Sequence, residues 1–424
     1  MSDIQATPQD ESKLLTRVQG GPAGVRSGQK AYLNISPGPL TCKTDVAGLA
    51  FDFNYGLRVK VPEGDWRVRF IDRDARVTLF DNIVSGDYAI STKKYFVNFG
   101  LEVYRGDRLI FSHDYSPAGK KVLIQFPVGT LGDAIAWFPY AQVFKHTHDC
   151  QVYCAMEKHL AEVFAPSYPD LHFVGPDERP DGVYASYYLG VFPGGDRDHQ
   201  PVDWRSVGLQ RTIPYLLGLP PEEVRPVAAP RCLERPVPEP YVCIASQSTA
   251  QAKYWNNPAG WMNTVKHLKE RGYRVLCIDR EPLHGRGSRW NTIPYGAEDF
   301  TGDKPLTERV DLLYHADFFV GLASGLSWLA WAAGKPVVLI SGFSLPTMEF
   351  FTPYRIINYH VCNSCFSDGA LEFDHEDFAW CPRHKDTDRQ FECTRAITPE
   401  AVNSVIDRLM ADHGFEPKRE EIPR

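Results

Sequence analysis

No run of this chain approaches the ~18 consecutive apolar residues that cross a bilayer, and the first twenty residues hold no apolar signal segment. Positive charge is not in surplus either: 46 Lys and Arg against 53 Asp and Glu leave a net charge of −7. That balance removes the general electrostatic reason to bind nucleic acid. The adjacent Gly-Lys-Ser/Thr of a phosphate loop is missing, and the first α/β half has no complete G-x-G-x-x-G, so kinase and dehydrogenase readings fall. No acidic pair marks a magnesium site. Ten cysteines in 424 residues are too few for a disulfide scaffold. What remains is a cytoplasmic protein that neither spans a membrane nor needs a catalytic magnesium ion.

The length implies two or three domains. Residues 1–29 are polar and read as a disordered N-terminus. From 30 to 118 the chain reads as β structure. Leu57 to Val61 and Trp66 to Phe70 alternate apolar and basic side chains around Pro62-Glu-Gly-Asp65, which predicts a hairpin with one solvated face. Tyr95 to Phe99, Leu101 to Tyr104 and Leu109 to Phe111 are further strand candidates. A small β-sandwich or barrel is the expected result.

Beyond residue 119 strands alternate with helices, which implies a parallel sheet with helices on both faces. This first half runs to about 225. A proline-rich stretch over 226–240 cannot hold a helix and reads as a linker. The alternation restarts at Tyr241 and continues to about 358, so a second half faces the first across a cleft. Ligands in such sheets lie beyond the carboxyl ends of strands.

Three loops stand at those ends. Phe126 to Tyr140 follows the strand-like Val122 to Phe126, holds Gly129 and Gly132, and places Asp133 near a helix start. Glycines let backbone turn and approach a ligand; the acid is either a helix cap or a reactive group at the cleft. In the second half, Ser246 to Lys253 contains Gln247, Ser248 and Thr249, whose amide and hydroxyls suit an anionic ligand, and Lys253 supplies a point charge for phosphate. Ala323 to Ser327 is a small-residue turn whose free N–H groups at Ser324, Gly325, Leu326 and Ser327 suit a diphosphate. Diphosphate binders on one wall and one carboxylate on the other fit transfer of an activated group, with the acid as general base. Asp279, at another strand end, is a candidate for a ribose hydroxyl.

Cys362, Cys365, Cys381 and Cys393 read C-x2-C-x15-C-x11-C, a spacing that allows tetrahedral thiolate coordination of zinc or iron. Four thiolates leave no open position, so the role is structural. This knuckle takes 359–396, and 397–424 is a C-terminal helix and tail.

These residues together resemble the bacterial autotransporter heptosyltransferases of the TibC and Aah type. The resemblance rests on Gly129 to Asp133, Ser246 to Lys253 with the following Tyr-Trp-Asn, Ala323 to Ser327, and the four late cysteines, and it covers about residues 30 to 413. It implies a GT-B fold with an added β domain, an ADP-heptose donor (ADP-D-glycero-β-D-manno-heptose), and inverting O-linked transfer to serine or threonine hydroxyls of an autotransporter adhesin passenger. It implies a ferric ion (Fe3+) in the cysteine site and a dodecameric homo-oligomer. By position it assigns the general base to Asp133, the donor-binding lysine to Lys253 and the diphosphate turn to Ser324, Gly325 and Leu326. The related lipopolysaccharide heptosyltransferases usually have Asp-Thr-Gly-Leu-x-His in that turn; here Ala323 replaces the acid and Trp328 the histidine.

Overall fold

A computed structural model describes residues 38–416, so the expected disordered segment 1–29 and the tail beyond 416 lie outside the described residues. The β-rich N-terminal region comprises β1 (Cys42–Lys43), β2 (Ala50–Asn54), β3 (Arg58–Lys60), β4 (Trp66–Asp72), β5 (Val77–Val84), β6 (Tyr88–Ile90), β7 (Phe99–Arg105) and β8 (Arg108–Asp114). Four of these form an antiparallel sheet in the order β5-β4-β7-β8. Its inner face is built by Trp66, Val68 and Phe70, which alternate with outward arginines. Arg67 pairs with Asp81 at 2.7 Å and Arg69 with Glu102 at 3.3 Å, which gives the solvated face its charge ladder.

The expected hairpin between β3 and β4 does not form. β3 pairs with β2 and β6, while β4 pairs with β5 and β7, so the chain changes sheets at Pro62. Proline has no N–H to continue a ladder, and alternation reveals a buried face without revealing the partner strand. Tyr95 to Asn98 is irregular backbone leading into β7. The hairpin of β7 and β8 forms as read, with Gly106 at φ +59° in the turn.

In the first α/β half, β9 (Lys121–Gln125), β10 (Gln151–Ala155), β11 (His172–Val174) and β12 (Val183–Tyr188) are mutually parallel. Helices α1 (Leu131–Trp137), α2 (Pro139–His148), α3 (Lys158–Phe164), α4 (Trp204–Val207) and α5 (Leu209–Leu217) accompany them. The sheet does not stop at β12. β2 adds to it in parallel, followed by β3 and β6, so the order is β11-β10-β9-β12-β2-β3-β6, with β1 on β2. The β-sandwich expected over 30–118 is therefore not a separate body. Polar bonds hold the junction: Asn54 Nδ2 donates to Val183 C=O (3.1 Å), Ser186 Oγ donates to Asn54 Oδ1 (2.6 Å), and Arg58 pairs with the fully buried Asp52 at 2.6 Å.

No helix or strand occurs between Leu217 and Tyr241. The proline-rich stretch is tied to the second half: Arg231 and Cys232 N–H groups donate to Asp311, and Ala228 N–H donates to Ala332 C=O.

The second half comprises β13 (Tyr241–Ile244), α6 (Gly260–Glu270), β14 (Arg274–Cys277), the hairpin β15 (Leu283–Arg286) and β16 (Arg289–Thr292), β17 (Glu298–Asp299), α7 (Leu306–His315), β18 (Phe319–Leu322), α8 (Gly325–Ala332), β19 (Val337–Ile340) and β20 (Arg355–Ile356). The parallel sheet runs β17-β14-β13-β18-β19-β20. Two Rossmann-like halves make the GT-B arrangement, as expected. The second half also extends past residue 358. After the short α9 (Glu392–Arg395), α10 (Pro399–His413) returns to bury Val402, Ile406 and Leu409 in the same core as β13 and β14. Thr398 caps it by accepting from Ala401 N–H. Among the described residues no helix is long and apolar enough to cross a membrane.

Candidate functional site

β9 delivers the chain to the cleft edge of the first sheet. Gly129 turns it at φ +78°, a left-handed conformation that favours glycine, and its N–H donates to Glu157 Oε2 (2.8 Å). Thr130 is the residue before α1, so Asp133 is not the cap: it occupies the third helical position, in the first turn. Unpaired N–H groups and the helix dipole favour a carboxylate there. Burial pushes the Asp133 carboxyl above the ordinary aspartate range, opposed mainly by the positive charge of Lys253. Thr130 Oγ1, close by, is buried without meeting hydrogen-bond geometry to any partner.

Across the cleft, Lys253 ends a single 3-10 turn, Gln251–Lys253. Its Nζ stands 5.3 Å from the ring centroid of Phe343 and 5.9 Å from that of Phe366. Burial lowers its pKa, while Asp133 and then Glu349 oppose the shift. The lysine thus lies within the fields of two acids, one from each half. Glu349 is 8 % exposed, accepts from Ser344 Oγ (2.6 Å) and pairs with Arg355 (2.7 Å). Sequence reasoning missed it. Its signal was position, in the loop that follows β19 at the carboxyl edge of the sheet.

Of the other loop residues, Gln247 and Ser248 are partly exposed and Thr249 is exposed. Asp279 holds this loop from beneath. It is 1 % exposed and accepts from Ser246 N–H (2.8 Å), Ser246 Oγ (2.9 Å) and Gln247 N–H (3.2 Å). Its oxygens are spent on the loop, so the ribose reading does not stand; the residue is a structural acid.

The turn from β18 to α8 brings Ser324 to the N-cap position, with its hydroxyl buried and unpartnered. Gly325 and Leu326 follow, partly exposed, with the unpaired N–H groups of a helix start. Ser327 does not join them. It is 1 % exposed, and its hydroxyl donates to Leu322 C=O beneath the turn. The start of α8 meets the start of α1. A Cβ on Gly132 would lie 3.3 Å from Trp328 Cδ1, and one on Gly325 would lie 2.9 Å from the Leu131 side chain. Gly132 therefore serves close packing between the halves. Trp328, 3 % exposed, fills that contact and meets Phe350 edge-on at 5.0 Å.

The four late cysteines are brought together. Cys365, Cys381 and Cys393 line a cavity of about 20 Å3 with Phe343, Trp380 and Phe391. Cys362 lies beside Cys365, and Arg383 Nη1 approaches its sulfur at 3.8 Å. Burial, and then the neighbouring thiols, push Cys365 and Cys393 up to about 12. The cavity has room for one ion, and four cysteines are a donor set of the kind that holds a metal as thiolates. All ten cysteines are free. Among the described residues, the ligand atoms that lie within 4.8 Å of one another are those of Cys362, His384 and Glu392, not the four sulfurs together. Glu392, however, already accepts from Arg389 and from Cys362 N–H, which makes it the weaker ligand.

Two family profiles match the chain: "Glycosyltransferase TibC, N-terminal domain" over residues 46–107 and "Glycosyltransferase family 9 (heptosyltransferase)" over residues 222–368. The chain is 53% identical, over 89% of its length and 93% of the relative, to the autotransporter heptosyltransferase BAHTCr of Citrobacter rodentium. It is 51% identical to the autotransporter heptosyltransferase TibC of Escherichia coli, over 90% of this chain and 95% of that one. It is also 41% identical, over 91% of each chain, to BimC of Burkholderia thailandensis, described as an inactive autotransporter heptosyltransferase. The crystal structure of TibC, described as an iron-containing dodecameric glycosyltransferase, superposes with TM-score 0.86 at 50% identity, covering 89% of this chain and all of that one. TibC in complex with ADP-D-beta-D-heptose superposes with TM-score 0.85 at the same identity and coverage.

Proposed function

The chain belongs to the autotransporter heptosyltransferase family, and from that premise we propose that it transfers heptose from an ADP-heptose donor to serine or threonine hydroxyls of an autotransporter passenger. The observation that carries the reading is the placement of Asp133 and Lys253, contributed by opposite halves and within one another's field. Asp133 takes the proton as the acceptor oxygen bonds to the anomeric carbon. The bond from that carbon to the β-phosphate oxygen breaks, and inversion follows from attack opposite the leaving group. Lys253 and the N–H groups of Ser324, Gly325 and Leu326 receive the departing ADP. Gln247, Ser248 and Thr249 flank the donor. General base catalysis of this kind contributes roughly 10²–10⁴ in rate.

The thiolates of Cys362, Cys365, Cys381 and Cys393 would hold one iron ion, as TibC is described as containing, with a structural role because four ligands close the shell. Zinc is the alternative for the same donor set. We extend the dodecameric assembly of TibC to this chain as well. Thiolate ligation of a metal fits a reducing, cytosolic location.

A non-catalytic reading draws support from the inactive relative, since membership alone does not guarantee turnover. Intact-mass measurement of an autotransporter passenger co-expressed with the chain separates the two. Heptose-sized mass steps that vanish with Asp133→Ala support the transferase. An unmodified passenger, with ADP-heptose still bound by the purified protein, supports the assembly role.

A further inference from the structure

Lys253 is held in an unusual way for a group meant to meet phosphate. Among the described residues its Nζ makes no hydrogen bond and no ion pair within 4 Å; what faces it are the rings of Phe343 and Phe366. A cation over ring faces at this distance is attracted by the ring quadrupole, and this costs it none of its three N–H donors. The lysine is thereby oriented while its donors stay free for a ligand.

The two rings do not come from the lysine's own loop. Phe343 follows β19, and Phe366 lies next to Cys365 in the knuckle. They stack on one another at 4.8 Å with 26° between their planes. Backbone bonds lock the two segments together: Ser364 N–H donates to Gly342 C=O (2.8 Å) and Phe366 N–H to Phe343 C=O (3.1 Å). Phe373 and Trp380 complete the cluster from the knuckle side, and Ala252, the residue before the lysine, is buried in it. Trp204, from the first half, meets Phe366 at 5.1 Å, and Arg205 donates to Gly369 C=O.

We propose that Phe343 and Phe366 form an aromatic seat that positions the Lys253 ammonium for the donor diphosphate, so that the cysteine knuckle sets the geometry of the leaving-group site as well as closing around a metal. Both phenylalanines are positioning residues, since they act through the lysine. The inference rests on the reading of Lys253 as the diphosphate-binding group.

The test compares ADP with AMP, measured by titration calorimetry on the full-length, metal-loaded protein and its variants, with metal content determined for each. Lys253→Met is the reference for loss of the diphosphate contact. Phe366→Leu and Phe343→Leu keep apolar volume and remove the ring face; Phe366→Tyr keeps the face. Each leucine variant is expected to weaken ADP about tenfold and leave AMP unchanged, with Phe366→Tyr close to wild type. Phe343 lines the cysteine cavity too, so the decision rests on whichever leucine variant keeps its metal, and metal loss from both with ADP still bound at wild-type affinity also overturns the seat. Wild-type ADP affinity in the leucine variants, or equal weakening of ADP and AMP, overturns the seat while the lysine's own role stands. If Lys253→Met itself binds ADP as tightly as wild type, the diphosphate reading fails instead.

Discussion

Gly132 and Gly325 put the first turns of two helices, one from each half, in direct contact: a Cβ on Gly132 would sit 3.5 Å from the Gly325 Cα. The contact fixes how far apart the base and the diphosphate turn can stand. A side chain on Gly325 would reach Leu131 at 2.9 Å, a distance real Cβ atoms do not tolerate without movement. Gly325→Ala is therefore expected to destabilise the protein by about 1–3 kcal/mol. Gly132→Ala, with its nearest contact at 3.3 Å, should cost less. Chemical denaturation of both variants checks the order; the reverse order would reject the contact as the cause.

Asp133 carries a pH signature. Burial raises its pKa, so the base is lost to protonation at a higher pH than an ordinary aspartate would be. The acid limb of the pH–rate profile should sit above the usual aspartate value of ~3.9. Lys253 opposes that shift, so Lys253→Met should move the limb to still higher pH. A limb unmoved by Lys253→Met would uncouple the two groups.

The same shift bears on stability. A carboxyl whose folded-state pKa is raised stabilises the fold only below its unfolded pKa, and this contribution disappears as pH rises through the folded value. Ionised Asp133 therefore weighs against folding at neutral pH. Asp133→Asn is expected to melt higher than wild type at pH 8, with the difference shrinking as pH falls toward the carboxylate range. Thermal melts across that range, read beside abolished transfer, check the prediction.

The knuckle's ligand set is open to direct measurement. Cys365→Ser and Cys381→Ser are expected to lose bound metal and to melt lower. His384→Ala should keep its metal, because His384 belongs to the cluster in which Glu392 is already taken. Elemental analysis of the purified variants decides it; metal loss in His384→Ala together with retention in Cys381→Ser would favour the mixed site.

Asp52 and Arg58 pair where β2 joins the first sheet, with side chains almost wholly buried. Asp52→Ala leaves a buried guanidinium without its carboxylate and should cost about 3–5 kcal/mol. Urea denaturation measures it. A loss below 1 kcal/mol would mean that the junction is held chiefly by its apolar packing.

Much of the site was legible as positions along the chain. Asp133, Lys253 and the turn at Ser324 stand at strand ends because alternating strands and helices place ligand loops there. Ser327 and Asp279 were misread for one reason: small polar residues in a loop look alike whether they face a ligand or support the backbone. Phe343 and Phe366 carried no local pattern, since each matters through Lys253, distant in sequence, and Glu349 had only its place beyond a strand end.

By itself the sequence determined the two α/β halves, the proline-rich passage between them and the four-cysteine spacing. Each follows from local physics: hydrophobic period, the missing proline N–H, and the reach of a thiolate loop. Tertiary structure decided that β2 joins the first sheet, that α10 completes the second, that two glycines bring the helix starts together, and that the knuckle's rings face Lys253. Those are choices of partner, made by shape and by buried polar bonds between segments far apart in sequence, such as Trp255 Nε1 to Ile397 C=O, 142 residues apart. A one-dimensional pattern can say that a face is buried, but not what buries it.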